Sequence, residues 1–362
     1  MIRLEKRPEP SRRIAAVTPA LAVVLTMIVG GALFGFLGAD PFEAIRTIFW
    51  DPIFHPQFSS YSRPQLLVKA GPLILIAIGL SIGFRAGIWN IGAEGQYIIG
   101  AVCGAAVGLA FYPSENVLIF PLMVIGGAFG GWAWAMIPAL LKTRFGTNEI
   151  LVSLMLVYVA QQLVLIPAAT GFLRNPEGMG FPGSRNFKQW DAVYNNELIS
   201  GTGMHWGVVM ALIAVIFAYV LMSRHIQGFN IRLSGEAPRA ARFAGVSPAR
   251  IVFLCLGLAG LLAGMAGLFE VTGPAGQLTG QFNAGYGFTA IIVAFLGRLN
   301  PFGILLAGLL MALTYIGGEL AQLTLGLPGA AIQLFQGMLL FFLLAMDVFT
   351  NYRLRIGAGA AA

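Results

Sequence analysis

The sequence predicts an all-α, polytopic membrane protein of about ten transmembrane helices with both termini in the cytoplasm. Of its 362 residues, 57% are hydrophobic and 10% are charged, whereas soluble domains usually carry about 25% charged residues. Apolar runs of roughly 20 residues, the length a helix needs to cross a bilayer, recur along the chain. These observations, together with the distribution of the basic residues, determine the predicted fold class.

Ten apolar runs define the predicted spans. The first follows a basic segment at residues 1–13 and is too long for a typical signal-peptide core, so we expect a retained helix. The eighth is short and flanked by glycines, so that span either begins earlier, near Phe282, or is broken. The predicted spans cover residues 14–38, 65–84, 96–112, 117–141, 149–172, 206–223, 251–271, about 288–297, 302–323 and 331–349.

The basic residues indicate how these spans are oriented. With the N-terminus inside, the inner segments hold 16 of the 22 Lys and Arg residues, the outer segments hold five, and Lys69 lies within a span. Cytoplasmic loops carry such an excess. The same distribution explains the net charge of +7 without a nucleic-acid partner, because the basic residues form no continuous face with interleaved aromatic residues.

Residues 85–97, between the second and third spans, are polar and glycine-rich. Buried Asn90, Glu94 and Gln96 would cost free energy unless they found partners. Gly92 and Gly95 weaken the helix that would otherwise satisfy the backbone. A helix break of this kind usually lines a cavity, although a short loop at the inner membrane surface is an alternative.

Glycines recur at every fourth residue in several predicted spans, as in Gly100, Gly104 and Gly108 and in Gly260 and Gly264. Small residues at this spacing let helices approach closely in lipid. We assign these positions to the scaffold.

Two enzyme-like motifs are chance matches. Residues 79–83 fit Gly-x-Ser-x-Gly but lie within an apolar helix, and residues 178–183 fit Gly-x-Gly-x-x-Gly with a proline where the helix would begin. The three histidines are far apart, and the two cysteines lie in apolar runs, so neither a metal site nor a disulfide is expected. None of the four lysines follows a glycine, which excludes a Gly-Lys-Ser/Thr phosphate loop.

Two polar segments interrupt the second half of the chain. Residues 173–205 predict an outer loop with at most one short helix. Residues 224–250 predict an inner segment that contains a short helix: Ser234 or Glu236 would cap it, Pro238 would lie in its first turn, and Gly245 would end it. Phe243 offers an apolar anchor to a partner. An ordinary solvated loop is the alternative.

Three motifs resemble those of permease subunits of bacterial ABC importers, in the branch for nucleosides and simple sugars that is related to ribose and branched-chain amino acid permeases. They are residues 84–96 (FRAGIWNIGAEGQ), 235–245 (GEAPRAARFAG) and 296–303 (LGRLNPFG). The resemblance runs from about residue 64 to residue 349. It does not extend to the first sixty residues or to the long outer loop.

The resemblance implies a single permease domain over residues 1–362 in the bacterial inner membrane, with no catalytic residue, cofactor or metal of its own. ATP would be hydrolysed on an ATP-binding partner subunit. A second homologous permease, an extracytoplasmic solute-binding lipoprotein and membrane lipid would complete the assembly. Residues 224–250 would form the coupling loop that docks on the ATPase. The expected coupling residues are Gly235, Glu236, Ala237, Ala240, Ala241, Phe243 and Gly245.

Polar and aromatic residues near the membrane are the candidates for the translocation path. They are Trp89, Asn90, Glu94, Gln96, Tyr97, Glu270 and Glu319. The two carboxylates Glu270 and Glu319 could instead anchor helix ends or join helices. The solute stays open between nucleosides or simple sugars and branched-chain amino acids or other small solutes. An ion-coupled secondary transporter is the alternative from another class, because intramembrane carboxylates and broken helices are typical of it as well.

Overall fold

The computed structural model describes residues 2–6, 12–169, 171–280, 282 and 285–356. The predicted basic N-terminal segment 1–13 therefore lies partly outside the described residues. The α-helices are α1 (Arg12–Phe36), α2 (Pro41–Phe49), α3 (Asp51–Phe54), α4 (Ser59–Arg85), α5 (Ala93–Ala110), α6 (Ile119–Phe145), α7 (Glu149–Ala169), α8 (Trp206–Arg224), α9 (Ile226–Glu236), α10 (Pro238–Phe243), α11 (Pro248–Thr272), α12 (Tyr286–Leu296), α13 (Pro301–Leu325) and α14 (Gly329–Asn351).

Eight of these helices are long and apolar enough to cross a membrane: α1, α4, α5, α6, α8, α11, α13 and α14. The protein is therefore a multi-pass helical membrane protein. Helices α7 and α12 are also apolar and occupy the positions of the fifth and eighth predicted spans. Helix α12 has 11 residues, about 16 Å of helix, which is roughly half of the hydrocarbon thickness.

The chain divides into two compact units. The first comprises the residues up to Arg63 and those from Leu313 onward. Its core lies between α1, α2, α13 and α14, where Phe34 stacks on Phe335 with ring centroids 5.6 Å apart. The terminal strands β1 (Ile2–Lys6) and β2 (Tyr352–Ile356) pair antiparallel in this unit, an element that the sequence analysis did not predict.

The second unit, Pro64–Ala312, is built on α4 and α11, which are largely buried. Helices α5, α6 and α11 pack backbone to backbone at glycines. A Cβ at Gly100 would collide with the backbone of Gly264, and one at Gly131 would collide with the carbonyl of Gly260. The glycine spacing therefore marks helix contacts, as predicted, because only glycine allows this approach.

The outer loop, residues 173–205, lies on the C-terminal end of α11 and the segment after it. The amide of Ser184 donates to the carbonyl of Leu278 at 2.9 Å, and that of Asn195 donates to the carbonyl of Thr272 at 3.1 Å. Its regular structure is one 3-10 helix, Phe187–Gln189. The prediction of a loop with one short helix is confirmed.

The inner segment contains the short helix that was predicted, but its cap differs. Helix α10 has Pro238 in its first turn, and Gly245 follows it with φ +80°. The predicted cap by Ser234 or Glu236 is wrong, because both residues belong to the preceding helix α9. The Ser234 hydroxyl donates to the carbonyl of Asn230 at 2.8 Å, so it is used within α9.

Candidate functional site

The backbone between α4 and α5 is non-helical for seven residues, 86–92. Gly87 adopts φ +73°, a left-handed conformation that ends α4 at little cost only for glycine. Two backbone donors of the break reach side chains of α7: the amide of Ile91 donates to the Ser153 hydroxyl at 3.2 Å, and that of Trp89 donates to Glu149 Oε1 at 3.5 Å. The sequence analysis missed both acceptors, which lie about 60 residues away.

Polar side chains of the break and of the first turn of α5 bond to each other. Asn90 Nδ2 donates to Gln96 Oε1 at 2.9 Å, and Gln96 Nε2 donates to Asn90 Oδ1 at 3.3 Å. Asn90 Oδ1 also accepts from the amide of Gly92 at 3.0 Å. Both side chains are buried. Asn90 and Gln96 therefore form a closed amide pair across the break, which offsets the cost of burying them.

Glu94 is fully buried in the first turn of α5. Its Oε2 accepts from the amide of Gly287, in the first turn of α12, at 2.6 Å. The backbones of α5 and α12 meet at this point, because a Cβ on Gly287 would collide with the backbone of Glu94. A carboxylate at a helix N-terminus satisfies a free amide and complements the helix dipole. Glu94 thus holds the N-terminal end of the half-length helix α12.

The contacts along α12 show how deep Glu94 lies. Trp89 stacks on Phe295 in the last turn of α12, with ring centroids 5.8 Å apart, whereas Glu94 bonds Gly287 in the first turn. Eight residues of helix separate these contacts, about 12 Å. The break therefore runs along α12, and Glu94 lies well inside the unit.

Gly92, the last residue of the break, and Gly95, in the first turn of α5, mark contacts with α7. A Cβ on Gly92 would lie 2.6 Å from the Ser153 carbonyl oxygen, and one on Gly95 would lie 3.1 Å from that of Leu156. Gly95 is helical, because α5 begins at Ala93, three residues before the predicted span. These positions need glycine for close approach rather than for breaking the helix.

The two aromatic candidates have different surroundings. Tyr97 is fully buried and stacks on Phe282, with centroids 5.6 Å apart, and it meets Tyr286 edge-on at 6.2 Å. Trp89 is 40% exposed and packs against Phe84 and Phe295. Of the pair, Trp89 keeps free surface that a solute or a partner could contact.

Glu270 lies near the C-terminal end of α11 and is 7% exposed. The positive charges that act on it are those of Lys69 and Lys188. Lys188 Nζ donates to the carbonyl of Pro274 at 2.9 Å, and Lys69 Nζ lies 5.9 Å from the centroid of the Tyr286 ring. The charges of both lysines thus act on Glu270, a relation that no local sequence pattern indicates. Lys69 could have been suspected, because it is the lysine within a predicted span.

Glu319 belongs to the other compact unit, on the exposed side of α13. The remaining path candidates all lie in the second unit. The role of Glu319 in the translocation path stays a prediction.

The predicted coupling residues lie at the end of α9, in α10 and directly beside α10, where Ala237 precedes the helix and Gly245 follows it. Phe243 is 94% exposed, whereas Ala241 is 3% exposed. Gly235 packs on the carbonyl of Arg85 so closely that no Cβ fits. A small cavity of about 170 Å³ separates α10 from the break and is lined by Gly87 and Ala241, among others. The predicted coupling segment, residues 235–245, therefore contacts the helix break through Gly235, and Phe243 points away from the chain.

A structural residue that the sequence analysis did not single out is His205, the N-cap of α8. Its Nδ1 accepts from the amide of Gly207 and lies 3.0 Å from Asn195 Nδ2. It is 2% exposed, and burial lowers the pKa of its imidazole to about 4. A neutral His205 therefore links residues 195 and 207, that is, the predicted outer loop and the first turn of α8.

Comparison with known proteins gives the family. The family described as branched-chain amino acid transport system / permease component matches residues 63–344. A glucose ABC transporter permease protein of Haloferax volcanii is 33% identical over 98% of this chain and 94% of its own length. A guanosine ABC transporter permease protein of Bacillus subtilis is 26% identical over 94% of this chain and 95% of its own.

A nucleoside ABC transporter permease protein of Lactococcus lactis is similar as well, with 26% identity over 90% of this chain and 89% of its own length. No solved structure matches the chain. Because the family match covers most of the chain and the archaeal relative aligns along nearly all of it, the chain belongs to this family of ABC transporter permeases.

Proposed function

We propose that this permease carries nucleosides or simple sugars into the cell, as the membrane subunit of an importer driven by ATP hydrolysis on a partner subunit. The relatives named for glucose, guanosine and nucleosides support this solute class. The family description names branched-chain amino acids, which stay the second candidate. The basic residues support a topology of ten spans with both termini in the cytoplasm.

The direct contact between the coupling segment and the helix break carries the mechanistic part of this proposal. Gly235 packs on the Arg85 carbonyl, the break runs from there to Asn90, and Glu94 bonds the first turn of α12. A displacement of α9 and α10 by the ATPase would therefore act on α12 through backbone contacts and hydrogen bonds. Such a chain of packed elements can change between two arrangements.

Phe243 supplies the docking residue in this mechanism. It is an aromatic side chain on the exposed face of a short cytoplasmic helix, and a large apolar side chain of this kind is a typical anchor in a partner's pocket. Ala240 is exposed on the same helix and would let the partner surface approach closely. Ala241 faces the chain itself, so it would transmit rather than receive the contact.

The face of α7 that the chain leaves uncovered supports a second permease. Tyr158 is 59% exposed, and Gln162 one turn further is exposed too. An amide facing lipid would lack hydrogen-bond partners. We therefore place the second permease and the solute path along this face of α7, and the extracytoplasmic binding protein over the outer loop.

Uptake into cells that express the complete importer tests the function. Radiolabelled guanosine, glucose and leucine are each offered to cells with an active ATPase subunit and to cells whose ATPase cannot hydrolyse ATP. We expect uptake of guanosine or glucose, lost with the inactive ATPase and unaffected when the proton and sodium gradients are collapsed at constant ATP. Uptake that survives loss of ATP hydrolysis and disappears with an ion gradient would support a secondary transporter instead.

A further inference from the structure

A groove of about 680 Å³ opens beside the N-terminal ends of α6 and α8. Its walls are apolar: Phe120 and Val124 come from α6, Met210 comes from α8, and the buried Phe269 comes from α11. The outer loop forms its upper edge, through Asp191 and Tyr194. Among the residues that the structure describes, none of the candidates for the translocation path lines this groove.

The exposed surface of α6 and α8 next to the groove carries large apolar side chains. Along α6, Ile125 is 65% exposed and Phe129 is 62% exposed; along α8, Ile213 and Ile216 are 49% and 60% exposed. Apolar side chains in a stripe along a membrane-spanning helix are expected to contact hydrocarbon. Ile125 belongs to both the groove and the stripe, so the groove is continuous with the acyl-chain region of the bilayer.

The rim of the groove is acidic. Glu115 and Asp191 line it and are exposed, and of the described residues that line it none is basic. Trp206, 49% exposed, and Tyr194 add aromatic rings of the kind found at the headgroup level of membranes. Two carboxylates at that level attract an ammonium group and repel an anionic headgroup.

We propose that this groove binds a phospholipid with an amine headgroup, of the phosphatidylethanolamine class. One acyl chain lies along Phe120, Val124 and Met210, and the ammonium group lies near Glu115 and Asp191. The proposed topology places this groove in the outer leaflet. Lipid binding itself does not depend on that topology. Because the acyl chain moves from one apolar environment to another, retention of the lipid depends on how well the chain fills the groove and on the contact of its headgroup with the rim.

The contrast with α7 favours lipid over a protein partner here. The exposed face of α7 carries Met155 but also Tyr158 and Gln162, whose polar groups need polar neighbours. The stripe on α6 below the groove consists of Ile and Phe side chains, which lipid satisfies without any protein contact. Charge complementarity at the rim then selects the headgroup.

Lipid that co-purifies with the full-length chain tests the proposal. The chain is reconstituted into bilayers of mixed phosphatidylethanolamine and phosphatidylglycerol, extracted in mild detergent and washed, and the retained lipids are quantified by mass spectrometry. Met210→Trp fills the groove, and Ile216→Trp places the same side chain on the same helix outside it. Glu115→Gln together with Asp191→Asn removes the charges at the rim.

We expect the wild type and Ile216→Trp to retain phosphatidylethanolamine in several-fold excess over its share of the bilayer, and Met210→Trp to lose it while eluting as a monodisperse protein. The double rim variant should keep its lipid but lose the headgroup preference. Equal retention in Met210→Trp and the wild type would overturn the binding site. An unchanged headgroup preference in the double variant would overturn the role of the carboxylates.

Discussion

The helix break and the predicted coupling segment are both polar interruptions between apolar helices. The side chains at the break are buried and bond within the chain, whereas those of the coupling segment are partly exposed. Asn90, Glu94 and Gln96 are buried, and each has hydrogen-bond partners within the chain. Phe243 and Ala240, in α10, are exposed on the surface of the chain. The polar groups at the break find their partners within the isolated subunit, whereas α10 presents an exposed surface that a partner protein can bury.

This difference separates stability from coupling. A substitution in the break leaves a buried polar group unpaired or a close contact blocked, so it acts on the free energy of unfolding. A substitution of an exposed side chain on α10 changes that free energy little and acts on the complex instead. The predictions below run from the largest expected effect on stability to the smallest.

Gly287→Ala should destabilise the chain most, by roughly 3 kcal/mol, because its Cβ would collide with the backbone of Glu94. Thermal unfolding of the purified protein in detergent measures the loss. Gly337→Ala is the matched control, since apart from its own stretch of helix no atom lies within 4 Å of a Cβ there. Equal melting temperatures for the two variants would show that α5 and α12 do not meet at Gly287.

Lowering the pH tests whether the neutral, buried form of His205 stabilises the folded chain. The pKa of His205 is lowered to about 4 in the folded state, against about 6.5 when unfolded. The unfolded chain therefore binds its proton first, so stability is complete above about pH 6.5 and falls by about 3 kcal/mol as the pH drops to about 4. His205→Asn can keep the cap without titrating, and its stability should depend less on pH in this window. The same pH dependence in both proteins would exclude His205 as the cause.

Glu94→Gln and Glu94→Ala decide whether the carboxylate holds α12 or meets the solute. Glutamine still offers an acceptor to the Gly287 amide, so we expect a loss of about 1 kcal/mol, whereas alanine leaves that amide unpaired and costs about 2 kcal/mol. Uptake by Glu94→Gln should keep its apparent affinity for the solute. A lower affinity at unchanged stability would place Glu94 in the translocation path.

Phe243→Ala should leave the unfolding free energy of the isolated chain unchanged within about 0.5 kcal/mol, because the side chain is 94% exposed. Uptake should fall strongly, since the anchor in the ATPase is lost. Wild-type uptake by this variant would remove Phe243 from the coupling contact.

Hydropathy and glycine spacing predicted much of the fold from the sequence. They located the long apolar helices and the glycines through which helices make close contacts, because lipid burial and close helix contacts leave strong local patterns. The cap of α10 was wrong, since Ser234 bonds within α9 and local sequence does not show where one helix ends and the next begins.

The candidate site was predicted in composition but not in its contacts. The cost of burying Asn90 and Gln96 pointed to partners, and these two residues turn out to pair with each other. The partner of Glu94 lies 193 residues away, and Ser153 lies on another helix. Pairings of this kind depend on how the helices pack, which no local pattern records.

The most direct test of the contrast is the melting temperature of the reconstituted subunit with and without its ATPase partner. A partner that binds the folded state raises this temperature. The ATPase should raise it by the same increment in the wild type and in Glu94→Gln, and should not raise it in Phe243→Ala. An undiminished increment in Phe243→Ala, or its loss in Glu94→Gln, would contradict the account.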